Sequence, residues 1–99
     1  MIRLINAKII ARRTTKALLK KEIPIINKLI EDASEAGNFC VPIGNNECSY
    51  ATELLLKKAG YRVDNGFISW AHIAIATHKN EKELMKAAKE AGVSILKVQ

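Results

Sequence analysis

A two-residue Asn65-Gly66 step separates Tyr61-Arg62-Val63-Asp64 from Phe67-Ile68-Ser69-Trp70. Asn and Gly both tolerate the positive φ angles of a type I′ turn, and that turn matches the right-handed twist of two paired strands. The stretch therefore predicts a tight β-hairpin. In that register Val63 faces Ile68 and Tyr61 faces Trp70 on one side, while Arg62 faces Ser69 on the other. Whatever else the chain does, it must build around this hairpin.

Working outward, Asn6 reads as the N-cap of a helix running from residue 7 to about residue 21. Leu4, Ala7, Ala11, Thr15 and Leu18 make its apolar stripe, and Arg12, Arg13, Lys16 and Lys20 project from the other side. Pro24 has no N–H and crowds the preceding turn, so it is expected to kink this helix or to open a second one. That second helix, residues 24–36, would turn Ile26, Leu29, Ile30 and Ala33 inward and stop at Gly37. Residues 39–43 read as a strand with Pro42 near its end, and residues 44–46 as a turn. A helix near residues 49–59, starting at Ser49 and closed by Gly60, would show Ala51, Leu54, Leu55 and Lys58 on one side. Residues 71–77 read as a small, apolar central strand. Asn80 and Glu83 resemble a capping box opening a last helix that buries Leu84, Ala87, Ala88 and Ala91 and ends at Gly92. Residues 93–98 complete the set as a strand.

The resulting order is a kinked basic helix followed by β-α-β-β-α-β, the order of a ferredoxin-like two-layer sandwich. The expected class is α/β (α+β), with one sheet covered on one face by helices. Ninety-nine residues suit a single domain, with residues 1–22 as a basic helical segment and 23–99 as the α/β body. Only 5% of the chain is aromatic against 48% apolar, so the core must be mostly aliphatic.

The charge is unevenly placed. Residues 1–28 hold eight Lys or Arg and one acid, Glu22, whereas residues 29–99 hold eight basic and nine acidic residues. The whole net charge of +6 therefore comes from the first quarter of the chain, which points that segment at an anionic partner. No apolar run approaches the roughly 20 residues of a bilayer span. Arg3, Asn6 and Lys8 interrupt the isoleucine-rich start, so an export signal is not expected and Cys40 and Cys48 should stay reduced.

Catalytic chemistry finds little support. Cys40-x7-Cys48 and His72-x5-His78 offer zinc-type donors, but the cysteine spacing is too long for one tight turn. A buried thiol, a helix-start cysteine and two surface or rim histidines are the favoured reading of them. Cys48 opens a helix, where a thiolate is favoured, yet no histidine lies nearby in sequence. Glu31, Asp32, Glu35, Glu47, Glu53 and Asp64 do not form paired carboxylates. Neither Gly-rich phosphate loop occurs. The chain is read as non-enzymatic, with no catalytic, metal or cofactor residues.

Two features carry the functional expectation. Lys8, Arg12, Lys16 and Lys20 recur every four residues and form a slowly turning ridge that Arg13 and Lys21 broaden. Such a ridge suits nucleic acid or an acidic protein surface, although a solvated helix face would look the same. Ile2, Leu4, Ile5, Ile9 and Ile10 lie in a ten-residue stretch, 2–11, of which seven residues are apolar. Each isoleucine left in water forgoes about 2 kcal/mol of burial. This stretch is therefore expected to dock on its own domain or on other subunits, homo- or hetero-oligomeric. A membrane surface suits it less, because large apolar side chains are few opposite the basic ridge.

Ile5-Asn6-Ala7-Lys8 through Ala17-Leu18, then Glu22-Ile23, Ile26, Ile30, Ala33 and Gly37, is similar to many small bacteriophage and prophage proteins. The run Leu55-Leu56-Lys57-Lys58-Ala59-Gly60-Tyr61-Arg62-Val63 leading to Ile68-Ser69-Trp70 resembles the same group. The likeness covers roughly residues 5–70. It implies a viral setting, in host cytoplasm or in the virion, and a non-enzymatic role as a virion structural or assembly component. The alternative it leaves is a nucleic-acid-binding or host-modulating factor.

Overall fold

A computed structural model describes residues 2–46 and 48–93. The elements are α1 (Ala7–Glu35), β1 (Cys40–Pro42), α2 (Tyr50–Lys58), β2 (Arg62–Asp64), β3 (Phe67–Ser69), α3 (Ala71–Lys79) and α4 (Glu81–Glu90). Of the described residues 63% are helical, and the three strands form one antiparallel sheet in the order β1-β3-β2.

The hairpin has the expected register. Val63 pairs with Ile68, Arg62 with Ser69, and Asp64 with Phe67. Asn65 and Gly66 take φ of 48° and 79°, the left-handed values that a type I′ turn requires. Beyond the strand ends the Tyr61 and Trp70 rings meet edge to face, with centroids 5.9 Å apart. On the other side of β3, β1 pairs Val41 with Ile68. That ladder is extended by Ile43 N–H to the Gly66 carbonyl (2.8 Å) and Trp70 N–H to the Phe39 carbonyl (2.9 Å).

The ferredoxin-like sandwich is not the fold. Residues 71–77 form part of helix α3 rather than a strand. They follow β3 without a turn, so as a strand they could only have lengthened it. The neighbours β1 and β2 offer three residues each, and the added backbone would have lacked ladder partners. A helix satisfies its own N–H and C=O groups, and Ala71, Ala74 and Ala76 favour it. The alternating Ile73 and Ile75 mimic a strand pattern. The strand expected over 93–98 falls almost wholly outside the described residues. Val93 itself lies just past α4, where its N–H bonds the Ala88 carbonyl at 2.9 Å and closes the helix end.

Nor do two helices flank Pro24. Helix α1 continues through it for 29 residues, crossing the 22/23 boundary expected between segment and body. Pro24 leaves the Lys20 carbonyl without its intrahelical donor. On both sides, however, the helix is held by one buried face: Glu22, Ile26 and Ala33, spaced four and seven residues apart. Packing of that face against β1 and α2 overrides the local break. Because Pro24 is exposed, Pro24→Ala should restore the missing bond and raise stability by up to about 3 kcal/mol, read as a higher melting temperature.

The core is small. Among the described residues the buried apolar side chains are Ile26, Ala33, Val41, Ile43, Leu56 and Ile68. Leu29, Ile30, Cys48, Tyr61, Val63 and Trp70 pack around them, partly buried. In α2 the inward residues are Thr52 and Leu56, while Leu54 and Leu55 face solvent. That is the reverse of the expected face, because α1 approaches α2 from the Thr52 side. In α4 the expected burial of Leu84, Ala87, Ala88 and Ala91 also fails. No residue of α3 or α4 is buried, and these two helices pack chiefly on each other.

The molecule measures 85 × 24 × 23 Å with a radius of gyration of 19.8 Å, against about 13 Å for a compact chain of this length. Helix α1, about 43 Å long, accounts for much of the difference. Its second half lies on the sheet and its first half projects beyond it.

Candidate interaction surface

The projecting half of α1 begins at Asn6, whose side-chain oxygen accepts the Lys8 N–H at 2.8 Å. This cap supplies one of the orphan N–H partners at the helix start. From there every residue through Ala17 is exposed, and Leu18 and Leu19 are half-buried. Even the polar side chains turn back on their own helix. The Thr14 and Thr15 hydroxyls donate to the Ile10 and Ala11 carbonyls, each at 2.9 Å.

The helix brings the basic residues together on this arm. Lys8, Arg12, Lys16 and Lys20 advance about 6 Å along the axis at each step and turn about 40° around it. Arg13 flanks the ridge at its edge, and all five are exposed. Lys21, at the base, lies toward the opposite side of the helix. The residues expected to dock are also outward: Ile2 and Leu4 are almost fully exposed, and Ile5, Ile9 and Ile10 are between 41% and 60% exposed. Residues 2–6 precede the helix, so only Ile9 and Ile10 have a fixed helical position. Ile9 shares its face with Arg12, Arg13 and Lys16, at spacings of three, four and seven.

A buried polar cluster fixes the arm to the body. Glu22 is only 2% exposed, and its carboxylate accepts the Ser49 N–H at 2.5 Å and the Thr52 hydroxyl at 3.3 Å. Ser49 is the N-cap of α2, so Glu22 fills from another helix the place that a capping-box glutamate takes within its own. Burial pushes the Glu22 carboxyl up. The Ser49 hydroxyl and N–H, the Thr52 hydroxyl and the nearby Lys21 charge outweigh it and hold the group below the ordinary glutamate range. Sequence reasoning missed this residue, although its signal was present: Glu22 is the lone acid of the first 28 residues, and Ser49-x-x-Thr52 is a helix-start pattern.

Of the cysteines and histidines, Cys48 borders this cluster, next to Ser49. Both thiols are free, Cys40 exposed and Cys48 half-buried. Burial, reinforced by the Glu22 and Glu53 carboxylates, pushes the Cys48 thiol up, which is unfavourable for a nucleophile. His72 Nε2 lies 2.9 Å from the Gly60 carbonyl. His78 instead meets the Phe39 ring edge-on, with centroids 5.9 Å apart. Among the described residues no three His, Cys, Asp or Glu gather as metal ligands, and no helix is long and apolar enough to cross a membrane.

A second outward surface lies at the far end of α1. Ile73 and Ile75 of α3 and Leu84 and Met85 of α4 are each about half exposed. Between α3 and the last turns of α1 runs a shallow apolar groove lined by Ile30, Tyr61, Trp70, Ile73, Ala74 and Thr77. No protein-family model, curated protein or solved structure matches the chain.

Proposed function

We propose that this chain is a non-enzymatic assembly protein acting through protein–protein contacts, most concretely as a structural or assembly component of a virion. The observation that carries the contact reading is surface area. A compact monomer of this mass exposes about 5,600 Å², whereas this chain exposes 8492 Å². The excess, roughly 2,900 Å², is far more than the ~800 Å² each partner gives up in a standard stable interface. It carries isoleucine and leucine at both ends of the molecule, where water is a poor partner. For the virion setting the support is the resemblance of residues 5–70 to small phage proteins, read from the sequence alone.

In the cells that contain it, a tagged full chain should sediment in a particle or complex well above its own 11.0 kDa. Ile5→Asp with Ile10→Asp should release it without lowering its melting temperature, because neither side chain is buried in its own body. Recovery of the wild type solely as a free 11.0 kDa monomer would overturn the reading.

One observation favours a second reading, a nucleic-acid-binding factor. The arm presents Lys8, Arg12, Arg13, Lys16 and Lys20 with no acidic residue before Glu22. Phosphate contacts of this kind release counterions, so binding should weaken steeply with salt. Arg12→Glu with Lys16→Glu should abolish a gel shift of duplex DNA or RNA.

A further inference from the structure

Helix α1 is charged against its own dipole. The aligned peptide groups make a helix N-terminus positive and its C-terminus negative, so acids suit the start and bases suit the end. The first turn of α1 has no acid and the last turn no base. Seven Lys or Arg occupy residues 1–21 without one acid, and Glu31, Asp32 and Glu35 crowd residues 29–35 without one base. Lys28 reaches Asp32 at 3.6 Å, an exposed pair in water that offsets little. Glu31 and Glu35 are exposed on α1, each one residue past a groove-lining residue (Ile30 and Ser34) and so about 100° further round the helix from the groove.

The arm has the complementary pattern, an apolar Ile9 flanked on one face by Arg12, Arg13 and Lys16. Within one chain the two cannot meet. Ile9 and Ile30 are 21 residues apart on the same helix, which holds them about 32 Å from each other. Another copy has no such constraint.

We propose that the occupant of this groove is a second copy of the chain. Its α1 arm places Ile9 against Ile30, Trp70 and Ile73, and sets Arg12, Arg13 and Lys16 beside Glu31 and Glu35. This pairing rests on the contact reading above and names its partner. It neutralises both misplaced charge clusters at once and covers apolar surface at the two ends of the molecule. If the exchange is mutual it closes as a dimer; if each arm passes to the next copy it builds a ring or a filament.

Sedimentation equilibrium of the full chain, with two charge-reversed variants, tests the proposal. One variant carries Arg12→Glu and Lys16→Glu, and the other Glu31→Lys and Glu35→Lys. All four positions are exposed, and circular dichroism checks that both variants keep the wild-type fold. The wild type should self-associate, more weakly as salt rises. Each variant should bind itself at least tenfold more weakly, and their equimolar mixture should restore association. A wild type monomeric at every concentration overturns the proposal, as do variants that associate like the wild type or a mixture that stays monomeric. A pure monomer whose first variant loses only DNA binding makes the arm a nucleic-acid site instead. A chain that is monomeric when pure yet sediments within a larger complex in its cells loses self-pairing and keeps the contact function.

Discussion

Glu22→Ala is expected to lower stability by about 2–4 kcal/mol, because it strips the acceptor from a half-buried N–H and a buried hydroxyl at once. The Ser49 N–H opens α2, and Thr52 is fully buried beneath it. Losing the carboxylate unfastens α2 from α1 as well as leaving two donors unmet. Glu22→Gln keeps a carbonyl oxygen for the Ser49 N–H and should cost less. The two variants also separate charge from shape through pH. The Glu22 carboxyl is held below its ordinary range in the folded chain, so in acid the unfolded chain takes up the proton first. Its contribution is therefore complete above the ordinary carboxyl range and disappears as pH falls through the folded value. Chemical denaturation from neutral to acid pH should show the wild type losing stability with a steeper slope than Glu22→Gln. Equal slopes would mean that Glu22 is not the group responsible.

Ile68→Ala should have the largest effect of any apolar truncation in the sheet, about 3 kcal/mol. Ile68 is 0% exposed, lies in the central strand, and faces Val41 on one side and Val63 on the other. With so few buried apolar residues the surroundings have little material with which to fill the cavity. For a domain of this size the loss corresponds to roughly 12–24 °C in melting temperature. By contrast Ile73→Ala, at a half-exposed position on α3, should hardly change the melting temperature of the monomer. If the two substitutions cost the same, the core is not where the structure places it.

Features set by neighbouring residues were legible in the sequence. Asn65-Gly66 specified the hairpin and its register because that turn type admits few residues. Asn6, Ser49 and Asn80 marked helix starts because short polar side chains meet orphan N–H groups. Gly37, Gly60 and Gly92 marked helix stops, each at positive φ. The misreadings all involve contacts distant in sequence. Nothing near Pro24 says that Ile26 and Ala33 will be anchored by β1 and α2. Nothing within residues 71–77 says that β3 lacks neighbours long enough to extend it. Leu54, Leu55 and Leu84 have the spacing of inward residues and face outward, because burial depends on what arrives from elsewhere. The basic ridge and the apolar start of the chain were visible from charge and composition. The Glu22 cluster and the groove beside Ile30 were not, since each joins residues separated by roughly thirty positions or more.

The account depends on the first half of α1 standing off its own body until another molecule covers it. Amide hydrogen exchange over residues 7–20, followed across a dilution series of the pure chain, tests this most directly. Protection that is strong in concentrated solution and fades on dilution, while the amides of β3 stay protected throughout, is the expected result. Protection of residues 7–20 that matches β3 at every dilution would mean that the arm packs on its own domain, and would contradict the account.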